Sequence, residues 1–252
     1  MERGRGNAPS FEKTPVKNLN SFRLNSFQTG AVCLLFASLT SLASASGFVT
    51  ESAGQLFQDT QNDLFDDGLG NLDITSVWVE NTATDITFSV TTREFQSWTK
   101  YMIFLETTIG GGTGTNAWSR PIDLSGAQID YFVGSWVDQS SNNSQFVANN
   151  FLGWDWASAT TFSNVQSGNT VSWTMSLASM NLFVGSVISF DVATSGGGGN
   201  DPGVDHLSRN VPATTGWGNP SVAGAFLTYT VVPGPGAFAL LGLAGLVSRR
   251  RR

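Results

Sequence analysis

Short segments that alternate apolar and polar residues constrain the fold of this chain more than any other feature. In the segment 85–92, Ile86, Phe88 and Val90 share one face, and polar residues occupy the other. The segments 100–108 and 169–177 show the same period of two. Successive side chains of a strand point to opposite faces, so this pattern is typical of antiparallel sheets with one buried and one wet face.

Eight segments of this kind, bounded by turn-forming residues, predict strands. They lie at 72–80, 85–92, 100–108, 127–137, 145–152, 169–177, 186–193 and 225–232. The sequence has no helical period longer than a turn or two, and no repeat of the length found in solenoids or propellers. It therefore predicts an all-β fold, an antiparallel two-sheet β-sandwich of jelly-roll type with about eight to ten strands.

The N-terminal residues 1–45 predict an export signal. A basic leader is followed at 31–42 by an apolar run of the length found in signal peptides, and then by small residues at 43–45. We expect a signal-peptide helix with cleavage between Ala45 and Ser46, and an uncleaved N-terminal anchor is the alternative. The single cysteine, Cys33, lies inside this segment, so the mature chain would have no disulfide.

The C-terminal residues 233–252 predict a second sorting signal. Pro233 and Pro235 prevent a strand from continuing, and the run 236–247 is apolar all round. As a helix this run would be roughly 18 Å long, shorter than the ~30 Å hydrocarbon core of a bilayer, so it predicts a marginal membrane anchor. The arginines that follow would stay on the cytoplasmic side of the membrane. They are Arg249, Arg250, Arg251 and Arg252.

This order of parts resembles the PEP-CTERM sorting tail of exosortase substrates, which carries a Pro-Glu-Pro motif, a short transmembrane run and an arginine cluster. The motif here is Pro233-Gly234-Pro235, with glycine at the position of the glutamate. The resemblance implies an exosortase-like membrane protease as a partner and a transient anchor in the inner membrane. It also implies a final place at the cell surface, in the outer envelope or in an extracellular matrix. A C-terminal anchor that is never cut is the alternative.

The segment between the two signals, residues 46–232, has the length of one domain. It keeps four of the 13 Lys and Arg residues but 17 of the 19 Asp and Glu residues, which gives a net charge of −13. Such a surface repels nucleic acid and anionic polymers and suits neutral ligands or divalent cations. We therefore expect no nucleic-acid partner.

The first half of this domain shows a second resemblance. Asp73-Ile74 stands at the beginning of the first predicted strand, and Glu106 ends the third strand before the glycines that start at Gly110. This arrangement is similar to the family 9 carbohydrate-binding modules and the related DOMON-type sandwiches. The resemblance implies a β-sandwich that binds carbohydrate.

Tryptophans are the candidate ligand-binding residues. Sugar rings present apolar C–H faces that stack on aromatic planes, beside polar groups that orient the hydroxyls. The candidates are Trp118, Trp154, Trp156 and Trp217. Successive strand residues alternate sides, so the cluster Trp154-Asp155-Trp156 cannot face the core as a whole. The alternative for each ring is packing in the core or under a loop.

Oxygen ligands are concentrated in the acidic loop 58–73. Its candidate calcium ligands are Asp63, Asp66, Asp67 and Asp73, although their spacing is not that of an EF-hand. A solvated acidic loop is the alternative. A second, weaker oxygen group is Asn200, Asp201 and Asp205. Apart from calcium, the sequence predicts no cofactor.

Catalytic motifs are sparse. His206 is the only histidine, and Ser208 is too close to it along the chain to form the usual nucleophile and base pair without a turn. We therefore expect a protein that is not an enzyme. The prediction is an exported, surface- or matrix-associated β-sandwich that binds extracellular polysaccharide, and the alternative is a purely structural surface protein with no specific ligand.

Overall fold

The computed structural model describes residues 53–108, 110–137, 144–150 and 152–234. These ranges contain fourteen strands and two short 3-10 helices. The strands are β1 Ala53–Gln58, β2 Ile74–Asn81, β3 Asp85–Thr92, β4 Lys100–Glu106, β5 Ile122–Asp123, β6 Tyr131–Trp136, β7 Ser144–Ala148, β8 Thr160–Phe162, β9 Val165–Ser167, β10 Thr170–Ser176, β11 Val187–Ser195, β12 Asp205–His206, β13 Ser221–Val222 and β14 Leu227–Thr230. The 3-10 helices are Trp156–Ser158 and Ala178–Met180.

Twelve of these strands form two antiparallel sheets, and β5 and β13 form a separate parallel pair. The first, sheet A, has the order β1-β2-β3-β10-β9, and the second, sheet B, has the order β12-β11-β4-β6-β7-β8, with β14 also paired to β11. The predicted all-β class with two antiparallel sheets is confirmed, and each of the eight predicted strands overlaps an observed one. The sheets have five and seven strands, more than predicted, because short segments such as β8, β9 and β12 pair at their edges.

The main core lies between the inner faces of the two sheets. Phe88, Trp173 and Phe190 are fully buried there, which is the arrangement that the alternation in β3 and β10 predicts. Phe190 packs edge-on against Phe57 and Phe88, with ring centroids 5.0 and 5.3 Å apart. Complete burial of side chains of this size contributes roughly 1.5–3 kcal/mol each.

Sheet B is also covered on its outer face. Met102 and Phe104 of β4 and Phe132 of β6 pack there with residues of the loop 113–130, which crosses the sheet. The loop is held near its ends by two hydrogen bonds between the main chains of Thr113 and Ile129. The wet face expected for the segment 100–108 is therefore wrong, because β4 is buried on both faces and its apolar residues run continuously from Tyr101 to Leu105.

Two residues of the predicted sorting motif, Pro233 and Gly234, follow β14 and lie against the sandwich. The side chain of Asn81 accepts a hydrogen bond from Val232 N and donates one to Val232 O, at 3.0 and 2.8 Å. Ala45, Ser46, Pro235 and the predicted terminal helices lie outside the described residues, as do the tail arginines Arg249, Arg250, Arg251 and Arg252. Within the described ranges, no helix has the length and apolar character needed to cross a membrane.

Candidate functional site

Four buried or half-buried aspartates meet where the acidic loop approaches β12. We call Asp59, Asp63, Asp73 and Asp205 the carboxylate cluster. One carboxylate oxygen from each of Asp63, Asp73 and Asp205 lies within 4.8 Å of the other two. These three residues are only 8%, 0% and 2% exposed. The cluster is therefore a set of oxygen ligands that converge on one point inside the protein.

Both sheets contribute to the cluster. The chain leaves β1 at Asp59, turns through Asn62, which has a left-handed φ of 62°, and re-enters sheet A after Asp73. Asn62 N donates a hydrogen bond to Asp73 Oδ2 at 3.0 Å, which closes the loop. Asp205 belongs to sheet B, and its Oδ2 accepts a hydrogen bond from Ile74 N, the first residue of β2, at 2.6 Å. The cluster thus joins the two sheets.

Several carboxylate oxygens in the cluster lack the partners that burial normally requires. Both oxygens of Asp63, Oδ1 of Asp73 and Oδ2 of Asp59 are buried and accept no hydrogen bond from any other described residue. Buried polar atoms in native proteins nearly always have a partner, and an unsatisfied one costs about 1–3 kcal/mol, more when it is charged. A cation between these carboxylates could supply the missing partner.

Burial also changes the acidity of the cluster. Burial, together with the charges of Asp63, Asp191 and Asp73, raises the pKa of Asp59 to about 8, and burial raises the pKa of Asp63 to about 6. Burial also raises the pKa of Asp205 well above its ordinary value, and the charge of Asp59 adds to this. At Asp73, burial raises the pKa, whereas the Asn62 N–H and Arg93 oppose the increase. Arg93 approaches this one acid, with Nε 3.2 Å from Asp73 Oδ2.

The predicted calcium ligands divide into two groups. Asp63 and Asp73 belong to the cluster, whereas Asp66 and Asp67 are exposed. Asp66 Oδ1 accepts a hydrogen bond from Gly68 N, and the Asp67 carbonyl accepts one from Arg93, so this part of the loop is a solvated turn. Asp205 joins the cluster from the second predicted group.

The other two members of the second predicted group, Asn200 and Asp201, do not belong to the cluster. Asn200 is exposed, and Asp201 Oδ2 accepts a hydrogen bond from Gly198 N within its own loop. Asp205 is the member of this group that lies in β12, and its side chain reaches Ile74 of sheet A.

A chain of three hydrogen-bonding side chains lies on the other face of β12. His206 Nδ1 is 2.7 Å from Asp191 Oδ2, and His206 Nε2 is 3.5 Å from Ser221 Oγ. In the tautomer with the proton on Nδ1, the imidazole donates to Asp191 and its Nε2 accepts from the serine hydroxyl. Sequence reasoning missed Ser221, which is 15 residues from His206, and considered Ser208.

The order Ser–His–Asp is that of a nucleophile, a base and its orienting acid, but all three side chains here are fully buried. Asp191 Oδ1 accepts hydrogen bonds from Val192 N and Ser208 N, so both its oxygens have partners. The imidazole stacks on Phe104 at 6.2 Å. Within the part of the chain that the structure describes, Ser221 Oγ has no exposed surface from which a substrate could be attacked.

An aromatic cleft forms where the loop 113–130 meets the glycine-rich loop after β11. It has a volume of about 210 Å³ and is lined by Trp118, Trp136, Arg120, Gly197 and Gly199. The two indole rings are 4.8 Å apart and inclined at 43°. Both tryptophans are half-buried, so each keeps part of its ring surface accessible.

Sequence features explain how the cleft is held. Trp118 lies on Gly134 of β6, where an added Cβ would come within 2.2 Å of the indole. The Arg120 guanidinium lies 5.4 Å from the Trp118 ring and donates to the carbonyls of Gly196, Gly198 and Asp201. Arg120 therefore fixes the flexible glycine loop beside the aromatic rings. Sequence reasoning missed Trp136, since it lies within a predicted strand.

The other predicted tryptophans have separate positions. Trp154 is half-buried and packs 6.0 Å from Phe132 under the loop cover of sheet B. Trp156 begins a 3-10 helix and is 44% exposed, so the two tryptophans lie in different environments. Neither belongs to a strand, so the alternation that places residues two apart on one face does not apply to them. Trp217 is also 44% exposed and contacts Phe65 of the acidic loop edge-on at 5.6 Å.

Comparisons of this chain with protein-family models, with curated proteins and with solved structures each give no match. Both resemblances drawn from the sequence, to the PEP-CTERM tail and to carbohydrate-binding sandwiches, therefore stay predictions.

Proposed function

We propose that this protein is an exported, non-catalytic β-sandwich that binds extracellular carbohydrate in the aromatic cleft. The observation that carries the proposal is the pair of half-exposed indole rings of Trp118 and Trp136, 4.8 Å apart, in a cleft of about 210 Å³. Sugar rings stack on such planes through their C–H faces. Gly197 and Gly199 support this assignment, because exposed backbone without side chains lets a flat ring approach closely.

The charge of the domain suggests which carbohydrates fit. A net charge of −13 between the two terminal segments repels acidic polymers. Arg120, which lines the cleft, is already counted in this charge, and its Nη groups point to backbone carbonyls of the glycine loop. The proposed ligand is therefore a neutral polysaccharide.

In this proposal, the two terminal segments determine where the protein is located. Residues 1–45 direct export, and the tail 233–252 holds the protein in the inner membrane until an exosortase-like protease releases it to the cell surface or matrix. Mass spectrometry of the exported protein tests both parts. A chain that starts at Ser46 and ends near Pro235 is expected, and a mature chain that retains Met1 or Arg252 would contradict the corresponding signal.

Binding is tested with the full-length chain against a panel of neutral polysaccharides by affinity electrophoresis. Trp136→Ala and Trp118→Ala are each expected to weaken retention about tenfold, since stacking on one ring contributes roughly 0.5–1.5 kcal/mol beyond area burial. Trp98→Ala is the matched control, because Trp98 is 36% exposed and does not line the cleft. Retention that is equal in all variants would contradict the cleft, and retention of no polysaccharide would favour a purely structural protein.

The non-catalytic part of the proposal is tested at Ser221. A fluorophosphonate probe labels activated serines that a substrate can reach. We expect no labelling of the folded chain, because Ser221 and His206 are both 0% exposed. Labelling that disappears in Ser221→Ala would show instead that the buried hydrogen-bond chain opens to act as a hydrolase.

A further inference from the structure

We propose that Asp63, Asp73 and Asp205 bind one calcium ion, which joins the acidic loop of sheet A to β12 of sheet B. This inference is independent of the proposed function, since none of these residues lines the aromatic cleft.

The spacing of the three carboxylates fits calcium. Ca²⁺ binds oxygen ligands at about 2.3–2.6 Å, so two ligands on opposite sides of one ion are up to about 5 Å apart. The three oxygens here lie within 4.8 Å of one another. Mg²⁺ binds at about 2.0–2.1 Å in a strict octahedron and keeps most of its waters, which a buried set of protein oxygens suits poorly.

The chemistry of the ligands also favours a hard cation. Asp63, Asp73 and Asp205 offer only carboxylate oxygens, the ligand type that Ca²⁺ prefers. The nearest imidazole, that of His206, directs Nδ1 to Asp191 on the other face of β12. A zinc site would need nitrogen or sulfur ligands, and neither is part of this cluster.

Asp63 is the residue that requires a ligand most clearly. Asp205 Oδ1 and Oδ2 accept hydrogen bonds from His206 N and Ile74 N, and Asp73 Oδ2 accepts one from Asn62 N, so the backbone holds these two side chains in place. Asp63 is only 8% exposed, and apart from its own backbone N–H no described residue donates to its oxygens. Its free carboxylate faces the oxygens of Asp73 and Asp205, so a cation between the three supplies the missing partner.

The surrounding charges leave room for a divalent ion. Asp59 lies beside the three ligands, and its Oδ2 is also buried without a partner among the described residues. Arg93 balances one charge through Asp73. A doubly positive ion brings the cluster of four acids close to neutrality, which burial of like charges otherwise opposes.

The alternative for the acidic loop, a solvated turn, holds for one part of it only. Asp66 and Asp67 are exposed and close local turns, whereas Asp63 and Asp73 are buried. This division provides a matched pair of variants, because Asp63 and Asp66 are three residues apart in the same loop and differ in whether they reach the cluster.

The experiment uses the full-length chain, treated with EDTA and dialysed, and titrated with CaCl₂ by calorimetry and in thermal melts. We expect one calcium ion per chain and a melting temperature that rises by about 5–10 °C at a calcium concentration of 100 times the Kd. MgCl₂ is expected to bind at least about tenfold more weakly.

The variants decide where the ion binds. Asp63→Asn is expected to lose calcium binding and the calcium-dependent rise in melting temperature, whereas Asp66→Asn retains both. Circular dichroism shows whether Asp63→Asn is folded, and if it is not, Asp73→Asn and luminescence of Tb³⁺ bound to the unmodified chain replace it. The proposal is overturned if the unmodified chain binds no calcium, if Asp63→Asn binds as well as the unmodified chain, or if Asp66→Asn is equally impaired.

Discussion

Asp205 and His206 are neighbours in β12, yet their side chains belong to two buried polar regions of opposite character. On the side of His206, Asp191 accepts three hydrogen bonds, from Val192 N, Ser208 N and the imidazole. On the side of Asp205, the carboxylate cluster leaves both oxygens of Asp63 without a donor from the other described residues. Both regions are buried, so burial alone does not distinguish them. The difference is whether each acceptor has a partner within the protein.

Buried carboxylates of these two kinds have opposite effects on the stability of the fold. A carboxylate whose oxygens are all satisfied stabilises the structure around it, as Asp191 holds the imidazole and the chain that follows β12. A carboxylate with free buried oxygens is destabilising until a ligand binds. Substitutions on the two sides of β12 should therefore respond differently to calcium.

Asp191→Ala is expected to have the largest effect. Removal of this carboxylate leaves its three donors buried without a partner, and each unsatisfied buried group costs about 1–3 kcal/mol of unfolding free energy. The loss, measured by urea unfolding, should be the same in calcium and in EDTA. A loss that differs strongly between the two solutions would break the comparison, since it would connect Asp191 to the ion.

Gly203→Ala should have an intermediate effect on the same side. A Cβ at this position would lie 2.2 Å from His206 Nε2, so the imidazole would have to move and weaken its bond to Asp191. We expect a loss of about 1–3 kcal/mol in urea unfolding, the usual cost of overpacking. Gly199→Ala is the control, because an added Cβ there has no neighbour within 4 Å. Equal losses in the two variants would show that the imidazole is not held tightly.

Arg93→Gln should have the smallest effect and should act on the cluster side. Arg93 is partly exposed and pairs with Asp73, and pairs of this kind contribute about 0.2–1 kcal/mol. In EDTA the variant is expected to be less stable by an amount in this range, whereas calcium, which supplies positive charge at the same acids, should reduce the loss. Thermal melts of both chains in the two solutions measure the difference, and a loss that calcium increases would contradict the proposed ion.

The period-two alternation predicted β3 and β10 at the centre of sheet A, because their pattern shows which face is buried. The predicted segments also located β4, β6 and β11 of sheet B, although these strands are largely buried on both faces. The alternation missed β1, β5, β8, β9, β12 and β13, because edge strands and isolated two-residue pairs are defined by the neighbours they pair with and not by their own sequence. It also could not show that the outer face of β4 is covered, which depends on where the loop 113–130 lies.

The candidate sites divide in the same way. Asp63 and Asp73 could be predicted together because they belong to one acidic loop, whereas Asp205 is 131 residues beyond the Ile74 N–H that it binds. Trp118 was predicted from its loop, but its partner Trp136 lies in a strand pattern, where a tryptophan indicates packing as readily as binding. Both sites are formed by contacts between segments that are distant in the chain, and a single sequence does not show such contacts.

The hydrogen bonds between Asn81 and Val232 determine how the domain responds to a pull on its C-terminal end. Tension applied beyond Gly234 reaches Val232 first, and the Asn81 side chain holds both its N–H and its carbonyl. Asn81 in turn accepts a hydrogen bond from the Tyr229 hydroxyl at 2.6 Å, so the last strand and the β2–β3 hairpin share the load. Separation of β14 from sheet B under such tension therefore also breaks the hydrogen bonds of Tyr229 and Val232 to Asn81 of sheet A.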